Sequence, residues 1–402
     1  MVLRLLTFTT LYPNAAQPNH GVFVENRLRH LLTTGAATAR VVAPVPWFPS
    51  RAAIFGDWAR HAAAPRGETR HGIAIDHPRY PVIPRLGMSA APFLLAAGSR
   101  AALRRAAPFD LIDAHYVYPD GVAAVRLGAA LGVPVVITAR GSDVTQLPDH
   151  ALPRLMIRDA LRRAAALIAV SAALGRRLVE LGADPARVTV LRNGVDTRVF
   201  HPVDRDAARA TLGVAGTVLV SVGALIPRKG HDRSIAALAH LPGATLLIAG
   251  DGPERARLAA QAASLGLGAR VRLLGAVPHA ALPALYGAAD VSLLASAREG
   301  WANVLLESMA CGTPVVASNI PGNPEVVQQR AAGLIAPANT PEGIAAGVRD
   351  LLAAPPARAA TRAYAEGFGW EETSRGQLTV FRQALSRSAM PASEARGAAS
   401  SQ

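Results

Sequence analysis

The most constraining feature of this chain is the alternation of apolar, strand-like runs with amphipathic helical segments almost from end to end. In the first half the strand-like runs are LRLLTFTT, ARVVAPV, DLIDAHYV, PVVITARG, ALIAVS and VTVLRNG. In the second half they are TVLVSVGAL, ATLLIAGDG, RVRLLGAVP, DVSLLAS and PVVAS. Near-continuous apolar strands separated by helices are typical of parallel sheets covered on both faces. The sequence therefore predicts an α/β chain with two doubly wound, Rossmann-like parallel sheets.

The chain has 402 residues, and single hydrophobic cores rarely grow beyond about 250 to 300 residues, so we expect two domains. Asn193-Gly194 ends the sixth strand-like run, and a polar stretch containing Pro202 precedes the next one. The predicted division is an N-terminal domain at 1–195, a linker at 196–214, a C-terminal domain at 215–370, a C-terminal helix at 371–388 and a disordered tail at 389–402. The C-terminal helix is a candidate to pack back on the N-terminal domain.

The charge balance favours anionic partners. Lys plus Arg number 42 against 28 for Asp plus Glu, which gives a net charge of +14. The basic residues are dispersed and lack the spacing of nucleic-acid motifs, so we expect no nucleic acid as partner. An anionic membrane surface or phosphorylated substrates fit better.

A membrane contact is one hypothesis for this positive charge. Arg100, Arg104 and Arg105 share a helical segment with the apolar run PFLLAA, and such a face can lie on anionic lipid. A solvated helix face over the core is the alternative. The apolar runs are too short to span a bilayer, and the N-terminal run is broken by Arg4. We expect a cytoplasmic protein, with peripheral binding to the inner face of the cytoplasmic membrane left open.

The loop SVGALIPRKG contains Lys229, the only lysine of the chain. It leaves a strand through Gly223, and ligands of parallel sheets bind beyond the carboxyl ends of strands. A lysine ammonium is a mobile point charge suited to phosphate oxygens. Lys229 is therefore a candidate phosphate ligand, with a solvated loop cation as the alternative.

The stretch EGWANVLLE places Glu299 in a loop and Glu307 on a short helix. The helix start aims the free backbone N–H groups of Asn303, Val304 and Leu305 outward and predicts an anion site. Glu307 lies four residues after Asn303, hence on the same helix face. The separation favours two carboxylates at opposite ends of one long ligand over a glycosidase pair, whose carboxyls are about 5 to 9.5 Å apart.

At this point the sequence resembles a known family. EGWANVLLE, followed by SMACGTPVVAS and PEVV, is similar to the glutamate-x7-glutamate signature of retaining glycosyltransferase family 4, which has the GT-B fold. LYPNAAQPNHGVFVENRLRHL, DLIDAHYVYPDGVAA and TARGSDV resemble its N-terminal domain, especially in the branch that builds bacterial cell-surface polysaccharides such as teichuronic acid, lipopolysaccharide and exopolysaccharide. The resemblance implies an acceptor-binding N-terminal domain and a nucleotide-sugar-binding C-terminal domain that face a cleft.

The resemblance also implies residue roles. Glu307 binds the donor ribose, Glu299 and neighbouring Gly300 hold the donor sugar, and Lys229 with Arg228 neutralises the diphosphate. In the N-terminal domain, His115 lies near the sugar 6-hydroxyl and the reacting carbon, and Gly21 lies near donor phosphate and acceptor. The implied closure of the cleft would use NGVDTRVFHP as hinge.

Two positions depart from the family pattern. Ala224 stands where many members have arginine, so Arg228 is a candidate substitute. Arg140-Gly141 stands where many have histidine-glycine. Arg140 and Asp143 are therefore possible acceptor or anion contacts, with a structural ion pair as the alternative for Arg140. Trp301 is expected to pack beside the site.

The implied function is a metal-independent, retaining transfer of a hexose-type sugar from a nucleotide diphosphate sugar to a growing, lipid-linked cell-surface glycan. The resemblance implies front-face attack, in which the leaving diphosphate takes the acceptor proton. We expect no cofactor and favour UDP over GDP in the donor, although side chains do not identify the base. The alternatives are a nucleotide-sugar epimerase of the same fold and an inactive basic protein that binds membrane or nucleic acid.

Overall fold

The alternating pattern folds as two units in the computed structural model, which describes residues 2–82 and 87–389. The first unit contains the chain up to Arg192 together with the segment that begins at Glu371, and the second unit contains Asn193–Trp370. Each unit has its own sheet and its own hydrophobic core.

The first unit is built on an eight-stranded sheet in the order β10-β9-β8-β7-β1-β2-β5-β4, which is parallel except at its last pair. The strands are β1 (Leu3–Phe8), β2 (Ala37–Val42), β3 (Val45–Pro46), β4 (Gly67–Arg70), β5 (Ile73–Asp76), β6 (Arg79–Tyr80), β7 (Leu111–His115), β8 (Val135–Ala139), β9 (Ala166–Ala169) and β10 (Val188–Val190). Strands β3 and β6 form a separate two-stranded ladder. The sequence pattern missed β3 to β6 because they are short and border surface loops.

The helices of this part of the chain lie between the strands. They are α1 (Val22–Leu32), α2 (Asp57–Ala63), α3 (Gly87–Ala106), α4 (Val122–Leu131), α5 (Ser142–Thr145), α6 (Ala151–Arg163) and α7 (Ala172–Glu180). The core combines the apolar side of α1 with the central strands, for example Leu28 against Leu5 and Val41.

The second unit is built on a six-stranded, fully parallel sheet in the order β13-β12-β11-β14-β15-β16. The strands are β11 (Thr217–Val222), β12 (Ala244–Ala249), β13 (Val271–Gly275), β14 (Val291–Leu294), β15 (Val315–Ala317) and β16 (Gly333–Ile335). The helices are α8 (Arg205–Leu212), α9 (His231–Leu238), α10 (Arg255–Ser264), α11 (Leu282–Ala288), α12 (Asn303–Ala310), α13 (Asn323–Val326), α14 (Pro341–Ala353) and α15 (Arg358–Glu366). The predicted fold class is therefore confirmed.

The last helix, α16 (Trp370–Ala389), returns to the first unit. Its apolar residues Leu378, Phe381 and Ala384 belong to the same buried cluster as Leu5 and Leu28. The C-terminal helix is thus part of the N-terminal core.

The structure differs from the sequence expectations at the linker. The segment 196–214 contains α8 and belongs to the second unit rather than forming a separate connection. Asp290 holds it there, because its carboxylate accepts hydrogen bonds from Arg209 at 2.8 Å and from the backbone N–H of Val218 at 2.8 Å. The tail expected at 389–402 lies outside the described residues except for Ala389, which ends α16.

The helix α3 carries the segment for which a membrane contact is one hypothesis. Arg100, Arg104 and Arg105 are exposed, whereas Leu95 and Leu103 are fully buried. Met88 and Phe93 of the same helix are 42% and 44% exposed. The helix α3 therefore has one side in the core and another with exposed basic and apolar side chains, and the membrane contact stays a prediction. No helix among residues 2–82 and 87–389 combines the length and apolar character needed to cross a bilayer.

Truncating Phe381 tests the place of α16 in the first core. Phe381 is 0% exposed, so Phe381→Ala should lower the free energy of unfolding by about 3 to 5 kcal/mol through lost burial and a cavity. Urea denaturation of the full chain measures the change, and Gln383→Ala on the exposed side of α16 is the matched control. A loss below about 1 kcal/mol for Phe381→Ala, typical of a surface change, would show that α16 is not part of this core.

Candidate functional site

The strand order of the second sheet fixes where a ligand can bind. Strands β12 and β13 lie on one side of β11, whereas β14, β15 and β16 lie on the other. At such a reversal the loops that leave the two central strands turn to opposite faces and open a crevice at their carboxyl ends. Lys229 follows β11, and Glu299 follows β14, so both lie at this edge of the sheet.

Lys229 and Glu299 form a direct, largely buried ion pair. The Lys229 Nζ atom donates to Glu299 Oε1 at 2.7 Å, and the two side chains are 17% and 8% exposed. Ser296 Oγ donates to the same carboxylate oxygen at 2.7 Å. Arg228 lies 3.5 Å from Glu299 Oε2 and donates to the carbonyl oxygen of Arg298 at 3.0 Å. Two cations and one carboxylate therefore lie close together at this edge of the sheet, which leaves a local positive charge.

Close backbone contact positions this cluster. Gly230 has φ +68°, and a Cβ atom there would lie 2.0 Å from the carbonyl oxygen of Ala295. Only glycine fits so near a carbonyl group in the left-handed conformation. The N–H of Ala297 also donates to the carbonyl oxygen of Arg228 at 2.8 Å. The loops after β11 and β14 are thereby held together, and Gly223 lies under the Lys229 side chain.

The start of α12 offers fewer donors than the sequence predicted. The N–H of Leu305 donates to the carbonyl oxygen of Ala302 at 3.1 Å, so it is not available to an anion. The N–H groups of Asn303 and Val304 find no acceptor within the part of the chain that the structure describes. The Asn303 side chain accepts a hydrogen bond from Asn193 at 3.2 Å. The anion site thus reduces to two backbone donors.

Glu307 lies one turn further along α12, among aromatic side chains. Its Oε2 atom accepts a hydrogen bond from the buried Tyr286 hydroxyl at 3.3 Å, and its Oε1 atom lies 3.8 Å from His279 Nε2. The Glu307 carboxylate raises the pKa of His279 through a hydrogen bond and charge attraction, against the opposing effect of burial. The ring of Phe200 packs edge-on against His279 at 4.9 Å. Glu299 and Glu307 therefore have different partners.

The segment between the two carboxylates is packed rather than open. Gly300 is buried, and its carbonyl oxygen would lie 3.0 Å from a Cβ atom at Gly322, which has φ +95°. Trp301 is 6% exposed and its ring lies 6.3 Å from that of Phe368. This packing fixes the spacing between Glu299 and α12.

In the first unit, His115 has a defined tautomer. Its Nδ1 atom lies 2.7 Å from a guanidinium nitrogen of Arg140, which can only donate, so Nδ1 accepts and Nε2 carries the proton. Nε2 in turn donates to Asp113 Oδ2 at 3.1 Å. Burial lowers the pKa of His115 to about 4, so the ring is neutral. Both ring nitrogens are occupied, and contact with a sugar hydroxyl stays a prediction that requires Arg140 to release Nδ1.

Arg140 and Asp143 have structural partners. The Arg140 guanidinium lies over the Phe23 ring at 5.3 Å. Asp143 is 0% exposed, and its carboxylate accepts from the backbone N–H groups of Val117 at 2.8 Å and Gly141 at 2.6 Å. A carboxylate buried in this way shapes the loop, and contact of Asp143 with a ligand stays a prediction.

Gly21 begins α1 with φ +71°, and a Cβ atom there would lie 2.3 Å from the carbonyl carbon and oxygen of Leu11. The loop that follows β1 therefore folds directly onto the helix start. The structure brings Gly21 and Phe23 to one helix end and His115 and Arg140 to the neighbouring strand ends, and the Phe23–Arg140 contact joins them.

Several site residues were missed from the sequence. Asp113 could have been found, because residues two apart on a strand face the same side, and Asp113 precedes His115 by two. Ser296 precedes Glu299 by three but sits in an irregular loop without periodicity. Tyr286 reaches Glu307 from α11, and His279 reaches it from the 3-10 turn before α11. Neither contact leaves a local sequence signal.

Comparison with known proteins identifies the two halves of the chain. Residues 53–199 match the family model Glycosyltransferase Family 4, and residues 204–368 match the model Glycosyl transferases group 1. Together with the paired parallel-sheet units, these matches define the class: the chain carries the two domains of a GT-B glycosyltransferase.

Two relatives share about one third of their aligned residues with this chain. A D-inositol 3-phosphate glycosyltransferase of Segniliparus rotundus is 34% identical over 301 residues, which cover 69% of this chain and 66% of that protein. One of Mycobacterium tuberculosis is 33% identical over 300 residues, covering 69% of this chain and 62% of that protein. The chain thus spans slightly less than two thirds of these relatives.

Solved structures share the fold. The sucrose-phosphate synthase of Thermosynechococcus elongatus has a TM-score of 0.79 at 20% identity and covers 96% of this chain and 100% of that chain. Anabaena HepE in complex with UDP and glucose has a TM-score of 0.71 at 22% identity, with coverages of 95% and 100%. At these identities the likeness concerns the fold alone.

The His279–Glu307 pair predicts a pH-dependent stability. The pKa of folded His279 is raised above 6.5. The contribution of the pair to stability is therefore complete below the pKa of the unfolded state, and it is lost as the pH rises through the pKa of the folded state. His279→Gln should lower the free energy of unfolding at pH 5.5 by at most about 1 kcal/mol, since the pair is partly exposed, and should change nothing at pH 9. Urea titrations at both pH values measure this, with exposed His201→Gln as control. An equal loss at both pH values would contradict the charge effect.

Proposed function

We propose that this protein is a retaining glycosyltransferase that moves a hexose-type sugar from a nucleotide diphosphate sugar to a lipid-linked, cell-surface glycan. The observation that carries the proposal is the pair of carboxylates on one loop and helix, Glu299 beside two cations and Glu307 beside aromatic side chains. A ligand with an anionic centre, a sugar end and a nucleoside end matches these surroundings. The two family models support the same class.

The donor is proposed to lie along this loop and helix. The Glu307 carboxylate accepts hydrogen bonds from the ribose hydroxyls, with His279 and Phe200 beside it. The backbone N–H groups of Asn303 and Val304 face the diphosphate. Lys229 and Arg228 add positive charge there. Because Lys229 is paired with Glu299, phosphate binding would draw the ammonium away and free the Glu299 carboxylate for the sugar hydroxyls. The exchange of Glu299 for phosphate as the partner of Lys229 would thus couple phosphate binding to sugar orientation.

The proposed chemistry needs no metal or cofactor. The bond between the anomeric carbon and the diphosphate oxygen breaks, the acceptor oxygen forms its bond on the same face, and the acceptor proton passes to the departing diphosphate. The local positive charge of Lys229 and Arg228 stabilises the charge that develops on the leaving group. The proposed donor base is uracil.

The acceptor has two candidates. The resemblance to the polysaccharide-building branch supports a lipid-linked glycan at the inner face of the cytoplasmic membrane. The relatives named D-inositol 3-phosphate glycosyltransferase support a soluble cyclitol phosphate as the second candidate. Both share the proposed donor site, so the acceptor is a separate question for experiment.

A transfer assay tests the function. The full chain is incubated in excess EDTA with radiolabelled UDP- or GDP-hexoses, together with bacterial lipid extract or D-inositol 3-phosphate. We expect labelled lipid and a preference for UDP. Altered donor without an acceptor product would favour an epimerase, and labelled inositol phosphate would identify the soluble acceptor. Activity that appears only when Mg²⁺ or Mn²⁺ replaces EDTA would overturn metal independence.

Substitutions of the two glutamates should have different effects on nucleotide affinity and turnover. Glu307→Ala removes charge-assisted hydrogen bonds of about 1.5 to 3 kcal/mol, so affinity for free nucleotide diphosphate should fall roughly 10- to 150-fold. Glu299→Ala should leave that affinity unchanged or raise it, because Lys229 loses its competing partner. Turnover should fall in Glu299→Ala because the sugar is no longer oriented.

Calorimetry with UDP and turnover assays measure the two effects. Glu299→Gln is the conservative control, since it keeps the size and a hydrogen bond while removing the charge that holds Lys229. Equal losses of nucleotide affinity in both alanine variants would refute the division of labour.

A further inference from the structure

An exposed apolar cluster in the first unit is not explained by the proposed donor chemistry. It consists of Trp47, Phe48, Ile54, Phe55 and Trp58, here called the aromatic lip. Their exposed fractions are 55% for Trp47, 85% for Ile54, 42% for Phe55 and 41% for Trp58. Exposed large apolar side chains are ordinary when scattered, but a contiguous group marks an interaction surface.

Three of the five side chains of the lip, Phe48, Phe55 and Trp58, are in ring contact. The Phe48 ring lies 5.2 Å from that of Phe55 and 5.5 Å from that of Trp58. The cluster follows β3 and is carried by the 3-10 turn Ala53–Phe55 and by α2, in which Ala59 is the buried residue. The surrounding core therefore fixes its base and leaves its apolar edge in solvent.

A cavity of about 190 Å³, with both polar and apolar lining residues, borders the lip. Its polar lining residues are Thr10, Asn14, Gln17, His20, His61 and Tyr80. His61 belongs to both features, because it lines the cavity and its ring packs edge-on against Trp58 at 5.9 Å. The His61 Nδ1 atom is buried and has no hydrogen-bond partner among residues 2–82 and 87–389. An apolar edge thus adjoins a cavity with an unused polar atom.

The charges around the lip are those of a surface for anionic lipid. Between Trp47 and Arg66 the chain carries Arg51, Arg60 and Arg66 but a single acid, Asp57. All three arginines are exposed. Tryptophan is favoured at the boundary between lipid and water, where its ring is apolar and its N–H stays hydrated. A second copy of a chain with net charge +14 would instead meet like charge across this face.

We propose that the aromatic lip inserts into the surface of an anionic phospholipid bilayer, so that the cavity beside it receives the sugar of a lipid-linked acceptor. The place of the acceptor rests on the function proposed above, whereas binding of the lip to lipid does not. Ile54 is the deepest side chain, and the three arginines contact phosphate groups. The cavity then faces sugars presented at the level of the head groups.

Sedimentation with vesicles tests the contact. The full chain is mixed with vesicles of phosphatidylcholine alone or with an equal amount of phosphatidylglycerol. We expect binding to the anionic vesicles that weakens with salt, and W47S/I54S should lower the partition by about tenfold or more because two exposed apolar side chains are lost. The matched control is L152S/L155S, which removes two exposed apolar side chains of α6, 58% and 62% exposed.

Tryptophan fluorescence gives a second readout. Of the 4 tryptophans, Trp301 and Trp370 are each 6% exposed, so a blue shift on vesicle addition reports on Trp47 and Trp58. Brominated lipid should quench the same signal. Unchanged emission in the presence of bound vesicles would overturn the proposal.

The variants separate the possible failures. If R100Q/R104Q/R105Q abolishes vesicle binding while W47S/I54S does not, the contact lies on α3 and the lip proposal is wrong. If L152S/L155S lowers binding as much as W47S/I54S, lipid binding is unspecific and the proposal also fails. Lip-dependent binding without transfer to lipid extract would leave the lip proposal standing and count against the lipid acceptor.

Discussion

The reversal of strand order between β11 and β14 is the constraint on which the donor site depends. Parallel strands need crossover connections of fixed hand, so a sheet that grows outward in both directions leaves its central loops uncovered at one edge. Lys229 and Glu299 belong to the two loops that leave these strands, and Gly230 lets the loops touch. Without that reversal, the two side chains would have no common crevice in which to pair.

The arginine excess has a structural use that composition does not reveal. Arg358 of α15 donates to the carbonyl oxygens of Gly287, Ala289 and Cys311, and Arg362 donates to that of Ala310 at 2.7 Å. These guanidinium groups satisfy carbonyl groups at the C-terminal ends of α11 and α12, where positive charge is favourable. Part of the charge therefore supports the helix that carries Glu307, which agrees with the lack of nucleic-acid motifs.

Two carboxylates that look alike in the sequence acquire different chemistry from their surroundings. Glu299 lies against Lys229, Ser296 and Arg228, whereas Glu307 lies against a tyrosine hydroxyl and an imidazole. In the first unit, burial and Arg140 fix the protonation of His115 in the same way. In each case the protein sets the role of a titratable group through neighbours brought from other elements.

The sequence by itself determined the alternation of strands and helices, the fold class, and the local stretches that carry Lys229, Glu299 and Glu307, because hydrophobic period and helix ends are encoded between near neighbours. Only the tertiary structure decided the strand order, the pairing of Lys229 with Glu299, the approach of His279 to Glu307 and the occupied nitrogens of His115. It also decided which apolar side chains are buried, such as Leu95, and which are exposed, such as Ile54. Such contacts join residues far apart in the chain, and they depend on how whole elements pack rather than on any local pattern.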